Sequence, residues 1–318
     1  MFKIKALGGV RMNITVMGAG AVGGYFGGLL AKAGNKVTFV VRGPHLEAIR
    51  KYGLKVKSNR GNFTVPVVAT DNPLEVGPSK LILFTVKTYD TELALSRVKS
   101  MLNDETIVLT LQNGVESYRT LVNALGADRV LAGAAYIESR IKEPGVIHQT
   151  GNVVRIVFGQ VNGERSPSSL EINETFVDAG IDCELSSNVL RELWTKFIFI
   201  AAVAGLTSAC RARLGTLLNN AEYKELLLTA MNEIETVGLN QGVNLDADVV
   251  ERTMGYVEGA VKDITASMHT DLESGRRLEL EALNGAVVRM GRERAIDTPV
   301  NSLLYLMLKP HIDGTVLT

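Results

Sequence analysis

Apolar residues fill Asn13-Ile-Thr-Val-Met17, a cluster of glycines interrupts them, an apolar helical run follows to Lys32, and Lys36-Val-Thr-Phe-Val-Val41 is apolar again. Strand, turn, helix and strand in about 30 residues form the βαβ unit of a parallel sheet. Further short apolar runs predict buried strands at Lys80 to Val86, Thr106 to Leu111, Arg129 to Ala134 and Val153 to Phe158. Beyond Asp182 the strand signals stop and long amphipathic segments take over. Asn188 is placed to cap a helix through Trp194 and Lys196, and Asn220–Gln241, Asp246–Ser267 and Arg276–Arg294 read as further helices. The pattern divides the chain near Leu185 into domains 12–185 and 186–318, with no internal repeat or low-complexity tract.

The glycines give the first domain its chemistry. Gly18-Ala-Gly20-Ala-Val-Gly23 lies directly after one strand and opens one helix. Gly18 permits the tight turn, Gly20 lets backbone N–H groups approach a pyrophosphate, and Gly23 lets the helix pack on the strand. The fold class expected is therefore α/β, an N-terminal Rossmann-like dinucleotide-binding domain followed by an all-helical C-terminal domain. The second strand ends Val40-Val-Arg42-Gly43, without the acid that would hold a ribose 2′-OH. Arg42 can instead make a forked contact to a 2′-phosphate, which predicts NADPH as the cofactor.

Composition removes several classes of function. Lys plus Arg and Asp plus Glu are 34 each, so no global basic field draws the protein to nucleic acid or to an anionic membrane. Cys183 and Cys210 lack metal spacing and are too few for a disulfide framework, which fits structural roles in a reducing, cytoplasmic setting with no metal. No apolar run reaches the ~18 residues that span a bilayer, and Phe197 to Leu206 reads as a buried helix. Residues 1–11 carry Lys3, Lys5 and Arg11 but no long apolar stretch, so a signal peptide is not expected and Met12 is a candidate start.

Four later segments carry a family resemblance. Phe84-Thr-Val-Lys87-Thr-Tyr-Asp90, Leu111-Gln-Asn113-Gly114, Leu193-Trp-Thr-Lys196, and Ser267-Met268 followed by Glu279 and Asn284-Gly285 resemble, in type and spacing, the motifs of the ketopantoate reductase family. The resemblance runs nearly the whole chain from Met12. It implies reduction of a 2-keto acid by hydride from NADPH, with Lys196 as proton donor and Glu279 holding or tuning that lysine or a substrate hydroxyl. It places Lys87 beside the cofactor, Asn113 between nicotinamide and substrate, and Ser267 on the substrate.

Glu279 is expected on the apolar face of the helix Arg276–Arg294, in line with Leu283, Ala286, Val287 and Met290, while Glu281 points to solvent. One departure from the family pattern bears on specificity. The family's asparagines four and eight residues after the lysine bind the hydroxylated substrate, and here Ile200 and Ala204 take those positions. A pocket without those amides suits a more apolar 2-keto acid than ketopantoate.

Two other readings stay open. One is another two-domain hydroxyacid or opine-type dehydrogenase, which the Ser267, Glu279 and Asn284-Gly285 spacing disfavours. The other is a non-catalytic NADPH-binding sensor, which would keep the Gly18 turn and have no need of Lys196 or Glu279. A homodimer is the expected assembly of a helical second domain.

Overall fold

The computed structural model describes residues 12–260 and 265–314. Residues 1–11, where a signal peptide is not expected, and residues 261–264, read as helix, lie outside the described residues. The chain forms two compact units. The first holds residues up to Val86, Asp90–Gln112 and Leu121–Ser187; the second holds Lys87–Tyr89, Asn113–Thr120 and the residues from Asn188 on.

In chain order the elements up to Leu185 are β1 (Asn13–Met17), α1 (Ala21–Lys32), β2 (Lys36–Val40), α2 (Gly43–Tyr52), β3 (Leu54–Ser58), β4 (Phe63–Val65), β5 (Val68–Thr70), β6 (Leu81–Phe84), α3 (Thr91–Val98), β7 (Ile107–Thr110), α4 (Ser117–Leu125), β8 (Val130–Glu143), β9 (Val146–Gly159), α5 (Pro167–Asp178) and β10 (Asp182–Leu185). The strands make one sheet in the order β4-β3-β9-β8-β7-β6-β1-β2-β5, with β10 also paired to β9.

Successive side chains of a strand point to opposite faces, and both faces are covered. Ile14 and Val16 of β1 and Leu81 and Leu83 of β6 pack with Tyr25, Phe26 and Leu30 of α1. Met17, Ile82 and Phe84, one residue out of phase, pack with Ala94 and Val98 of α3 and with Leu121. Burial on both faces makes these strands read as continuous apolar runs.

The predicted strands are all present, but the sheet is mixed rather than parallel throughout. From β8 to β5 neighbouring strands run parallel. β8 and β9 form a long antiparallel hairpin of 14 residues each, with irregular register between Ile137 and Glu138 and between Ile141 and Glu143. The apolar halves of that hairpin were legible, whereas its outer part carries exposed polar residues and has no apolar run. The short strands β3, β4 and β5 escaped the pattern for the same reason, and β10 extends the sheet just past Asp182.

The second unit is helical: α6 (Val189–Cys210), α7 (Leu214–Leu218), α8 (Ala221–Asn240), α9 (Val249–Ala260), α10 (Ser267–Glu273), a 3-10 turn at Leu280–Ala282, α11 (Asn284–Glu293) and α12 (Pro299–Leu308). α6 is long and apolar enough to cross a membrane by length and composition, yet 67% of its most apolar window is buried inside the protein. Phe197, Ile198, Ala201 and Ala202 are fully buried, which marks α6 as the core helix of this unit.

A buried polar network ties α6, α8, α11 and α12 together. The Glu233 carboxylate accepts the backbone N–H groups of Val300 at 2.8 Å and Asn301 at 2.9 Å, the otherwise orphaned donors at the start of α12. The Asn301 amide donates to Glu233 at 2.7 Å and accepts from Asn284 at 3.0 Å. Asn284 also donates to the Ala201 carbonyl of α6 at 3.2 Å. A Cβ at Gly205 would stand 2.7 Å from the Asn284 amide nitrogen, so glycine there is what lets Asn284 reach the helix.

Two predicted helices are corrected. Asp246–Ser267 is not one element, because α9 starts at Val249 and Ser267 opens a separate helix, α10. Arg276–Arg294 is not helical at its start: residues 276–279 are irregular, and Leu283 takes φ −105° and ψ −105°, which no α-helix allows. Glu279 therefore precedes the helix on whose apolar face it was expected. Leu283, Ala286, Val287 and Met290 are nonetheless all buried.

Candidate active site

In the first unit the turn Gly18–Gly23 joins β1 to α1. Gly18 has φ +98°, and a Cβ there would come within 2.8 Å of the Val86 backbone nitrogen. Its own N–H donates to the Val40 carbonyl at 3.1 Å, and its carbonyl accepts the Thr85 hydroxyl at 2.7 Å. A Cβ at Gly23 would stand 2.3 Å from Thr85 Oγ1 and 2.4 Å from the Gly18 carbonyl oxygen, so helix and strand approach as closely as glycine permits.

Gly20 differs, since a Cβ there would meet nothing within 4 Å. No internal contact demands glycine at that position, which leaves close approach of a ligand as its physical reason. Gly20 is also the N-cap of α1, makes no side-chain cap, and is followed by no acidic residue in the first turn. Uncapped N–H groups at a helix start favour a phosphate. These residues fit the pyrophosphate of a dinucleotide.

At the end of β2, Arg42 occupies the N-cap position of α2 without a side-chain cap, and its Nη2 donates to Asp90 Oδ2 at 2.9 Å, with the arginine side chain 75% exposed. Asp90 lies 48 residues away in sequence, and the ion pair was not foreseen.

In the second unit Lys196, Asn113, Glu279 and Lys87 are brought together. Lys196 of α6 donates from Nζ to Asn113 Oδ1 at 2.9 Å. Burial is the stronger influence on this lysine and lowers its pKa to about 8, against the opposing pull of the Glu279 carboxylate. Asn113 is set by the turn it shares with Gly114, whose φ is +95° and where a Cβ would lie 2.8 Å from the Ala282 carbonyl oxygen.

Glu279 is buried with both oxygens engaged. Oε1 accepts the Thr88 N–H at 3.0 Å, and Oε2 accepts Lys87 Nζ at 2.8 Å. Lys87 also donates to Asp271 Oδ2 at 2.9 Å. Burial pulls the Lys87 pKa down, but the Glu279 and Asp271 carboxylates more than reverse it and hold this ammonium above the ordinary lysine range. Asp271 Oδ1 accepts Arg276 Nε at 2.7 Å.

Ile200 and Ala204 follow Lys196 by one and two turns of α6; Ile200 is half-buried and Ala204 is buried. Ser267, the first residue of α10, is exposed. Glu281 is exposed and paired with Arg289 at 2.7 Å. Sequence reasoning missed Asp271, Arg276 and Thr88. Asp271 had one signal, its position four residues after Ser267 on the same helical face.

The glycine turn of the first unit and the part-buried lysine of the second are features of a dinucleotide-dependent oxidoreductase, the class to which the family matches assign the chain. The family model described as "Ketopantoate reductase PanE/ApbA" matches residues 14–163, and "Ketopantoate reductase PanE/ApbA C terminal" matches residues 188–311. The chain belongs to the ketopantoate reductase family.

Among its relatives, the uncharacterized oxidoreductase YkpB of Bacillus subtilis (strain 168) is 31% identical over 94% of this chain and 98% of its own. The 2-dehydropantoate 2-reductase of Archaeoglobus fulgidus is 32% identical over 93% of this chain and 97% of its own. The crystal structure of a PanE/ApbA family ketopantoate reductase from Ralstonia eutropha JMP134 is similar with a TM-score of 0.88 and 31% identity, covering 94% of this chain and 98% of that one.

Gly20 and Gly23 separate by experiment. Gly23→Ala should lower the Tm by several degrees and weaken dinucleotide binding through misfolding of the turn, as expected for a contact of 2.3 Å. Gly20→Ala should fold with an unchanged Tm and still bind dinucleotide at least about tenfold more weakly, a loss of roughly 1.4 kcal/mol. Thermal melts and fluorescence titration of both variants make the test, and an undiminished affinity for Gly20→Ala would exclude the turn as the pyrophosphate cradle.

Proposed function

We propose that the protein reduces a 2-keto acid to the 2-hydroxy acid in the manner of a 2-dehydropantoate 2-reductase, with NADPH as hydride donor and Lys196 as proton donor. The observation that carries this reading is the Lys196 ammonium, held at 2.9 Å from Asn113 with a pKa of about 8. When bound, NADPH supplies the hydride that reaches the ketone carbon.

Negative charge then grows on the carbonyl oxygen. A desolvated ammonium stabilises that charge more strongly than it stabilises the neutral ketone, and can release its Nζ proton near neutrality. Asn113 orients the lysine and presents its amide N–H to the substrate, and Glu279 keeps Lys196 charged until transfer. Ser267, as an exposed hydroxyl, is offered to the substrate carboxylate or a hydroxyl.

Preference for NADPH rests on Arg42. Its pairing with Asp90 is exposed, and such pairs contribute only about 0–1 kcal/mol, so a 2′-phosphate can take the place of the carboxylate at little cost. Gly18, Gly20 and Gly23 hold the pyrophosphate end in this reading. The two free cysteines suit a cytoplasmic setting. Leu303, Leu306 and Met307, exposed on one face of α12, suit a homodimer.

Lys196→Met should abolish turnover of any 2-keto acid while leaving dinucleotide affinity intact. In the wild type the donor must be protonated, so kcat/KM for reduction should be flat below pH 8 and fall tenfold per pH unit well above it. Retained kcat in Lys196→Met would assign the proton to another group and revive the sensor or another dehydrogenase reading.

NADPH should bind at least about tenfold more tightly than NADH, a difference of roughly 1.4 kcal/mol. Arg42→Ala should remove that difference and Asp90→Asn should enlarge it. Equal loss of both dinucleotides in Arg42→Ala would confine Arg42 to the fold.

Ile200 and Ala204 line up with Lys196 on α6 and offer no amide to a substrate hydroxyl, whose desolvation without a partner costs ~1–3 kcal/mol. The wild type should favour a 2-keto acid with a plain alkyl or aryl tail over ketopantoate. Ile200→Asn should move kcat/KM toward ketopantoate, and efficient ketopantoate turnover by the wild type would show that other residues supply the missing hydrogen bonds.

A further inference from the structure

The second unit contains more buried charge than a single proton donor needs. Arg276, Asp271, Lys87, Glu279 and Lys196 form a series of alternating sign. Arg276 is 2.7 Å from Asp271, Asp271 is 2.9 Å from Lys87, and Lys87 is 2.8 Å from Glu279. Asp271 and Glu279 are 10% and 6% exposed. Asp271 is fixed twice over, because the Arg276 backbone N–H also donates to its carbonyl at 2.8 Å. Nothing in the proposed reaction calls for Asp271, yet it sits where it decides how Lys87 divides its charge.

We infer that Asp271 is a positioning residue: by sharing Lys87 with Glu279, it leaves the Glu279 carboxylate free to act on Lys196. The inference rests on Lys196 being the group whose charge matters for turnover. Its physical basis is Coulomb attraction in a partly buried cluster, where the buried Glu279 carboxylate is shared by two ammonium groups. With Asp271 present, Lys87 satisfies two anions and neutralises neither fully. Without it, Lys87 closes on Glu279 alone, and the negative field at Lys196 weakens.

Other charged groups lie in the same unit. Glu192 lies one turn before Lys196 on α6. Glu116 pairs with Arg289 at 2.7 Å, Arg277 lies over the Tyr89 ring at 4.5 Å, and His269 of α10 faces Glu273 at 3.4 Å. Lys196 itself responds to Glu279. The route from Asp271 to Lys196 therefore runs through Lys87 and Glu279.

The sign follows. Asp271→Asn should lower the Lys196 pKa by about half a pH unit or more, since an anion is lost and Lys87 screens Glu279. Arg276→Gln, at a 56% exposed side chain, should raise it, because Asp271 then draws harder on Lys87. In a Lys87→Met background the further change Asp271→Asn should do much less.

The experiment is competitive acetylation of the full-length protein across pH 6–10, read at Lys196 by peptide mass spectrometry, with the pH profile of kcat/KM measured in parallel. Asp271→Glu should restore the wild-type value. A Lys196 pKa that stays put in both Asp271→Asn and Arg276→Gln would overturn the inference, as would an Asp271→Asn effect undiminished by Lys87→Met. A fall in Tm alone, without movement of the titration, would reduce Asp271 to a structural role and overturn it equally. If the labelling moves as expected while the basic limb of turnover does not, the coupling stands and it is the proton-donor reading of Lys196 that fails.

Discussion

Burying the Lys196 ammonium on α6 is the costly step around which the second unit is built. A charge taken from water into an apolar core loses several kcal/mol of hydration unless partners offset it. Asn113 offers an oxygen at 2.9 Å, and Glu279 offers a field. Glu279, itself buried, then needs donors, and takes Thr88 N–H and Lys87. Lys87 in turn recruits Asp271, and Asp271 recruits Arg276, whose side chain is half in water. Each charge finds an opposite one, with the two buried carboxylates alternating with the more exposed Lys87 and Arg276. Four segments far apart in sequence are thereby held together, which explains why the residues that follow β6 and β7 group with the helical unit.

The remainder of that unit supplies rigidity through a second buried polar network. Glu233 caps α12 through two backbone N–H groups, Asn301 passes the contact to Asn284, and Asn284 reaches the α6 backbone at Ala201. Ala201 lies five residues beyond Lys196, so this network fixes the helix that carries the lysine. Asn284-Gly285 could be singled out in the sequence as a motif, but its work is packing: Asn284 is fully buried and touches structure on both sides. Gly205 is its complement on α6, and nothing in the local sequence pairs the two.

Features legible in the sequence share a local cause. The βαβ unit, the glycine turn and the apolar strands of the central sheet are fixed by neighbours within a few residues, so periodicity reports them. Lys196, Glu279 and Asn113 were found by resemblance, and the structure gathers them in one unit. Partners chosen by tertiary proximity left no trace, as with Asp90 opposite Arg42 and Asp271 opposite Lys87 across 184 residues. Glu279 shows the intermediate case. The helical spacing of Leu283, Ala286, Val287 and Met290 is genuine, but the backbone break at Leu283 makes the helix begin only at Asn284, after Glu279. The carboxylate is thereby presented from an irregular segment, which allows it to accept from Thr88 and Lys87 at once.

The two lysines that share Glu279 end with opposite displacements, and the reason decides which of them can serve chemistry. Burial lowers both. Lys87 meets two carboxylates within 2.9 Å, and their attraction exceeds the cost of burial, so its proton is held through any physiological pH. Lys196 donates to the Asn113 amide oxygen and feels the Glu279 carboxylate, but burial outweighs that attraction and its pKa falls to about 8. A group with that value is charged at neutral pH and still able to give its proton away, the condition a general acid must meet. Lys87 is suited to be a fixed counter-charge, and Lys196 to be the donor. The asymmetry comes from placement, since the side chains are chemically identical and Lys87 is the one held between two carboxylates within 2.9 Å.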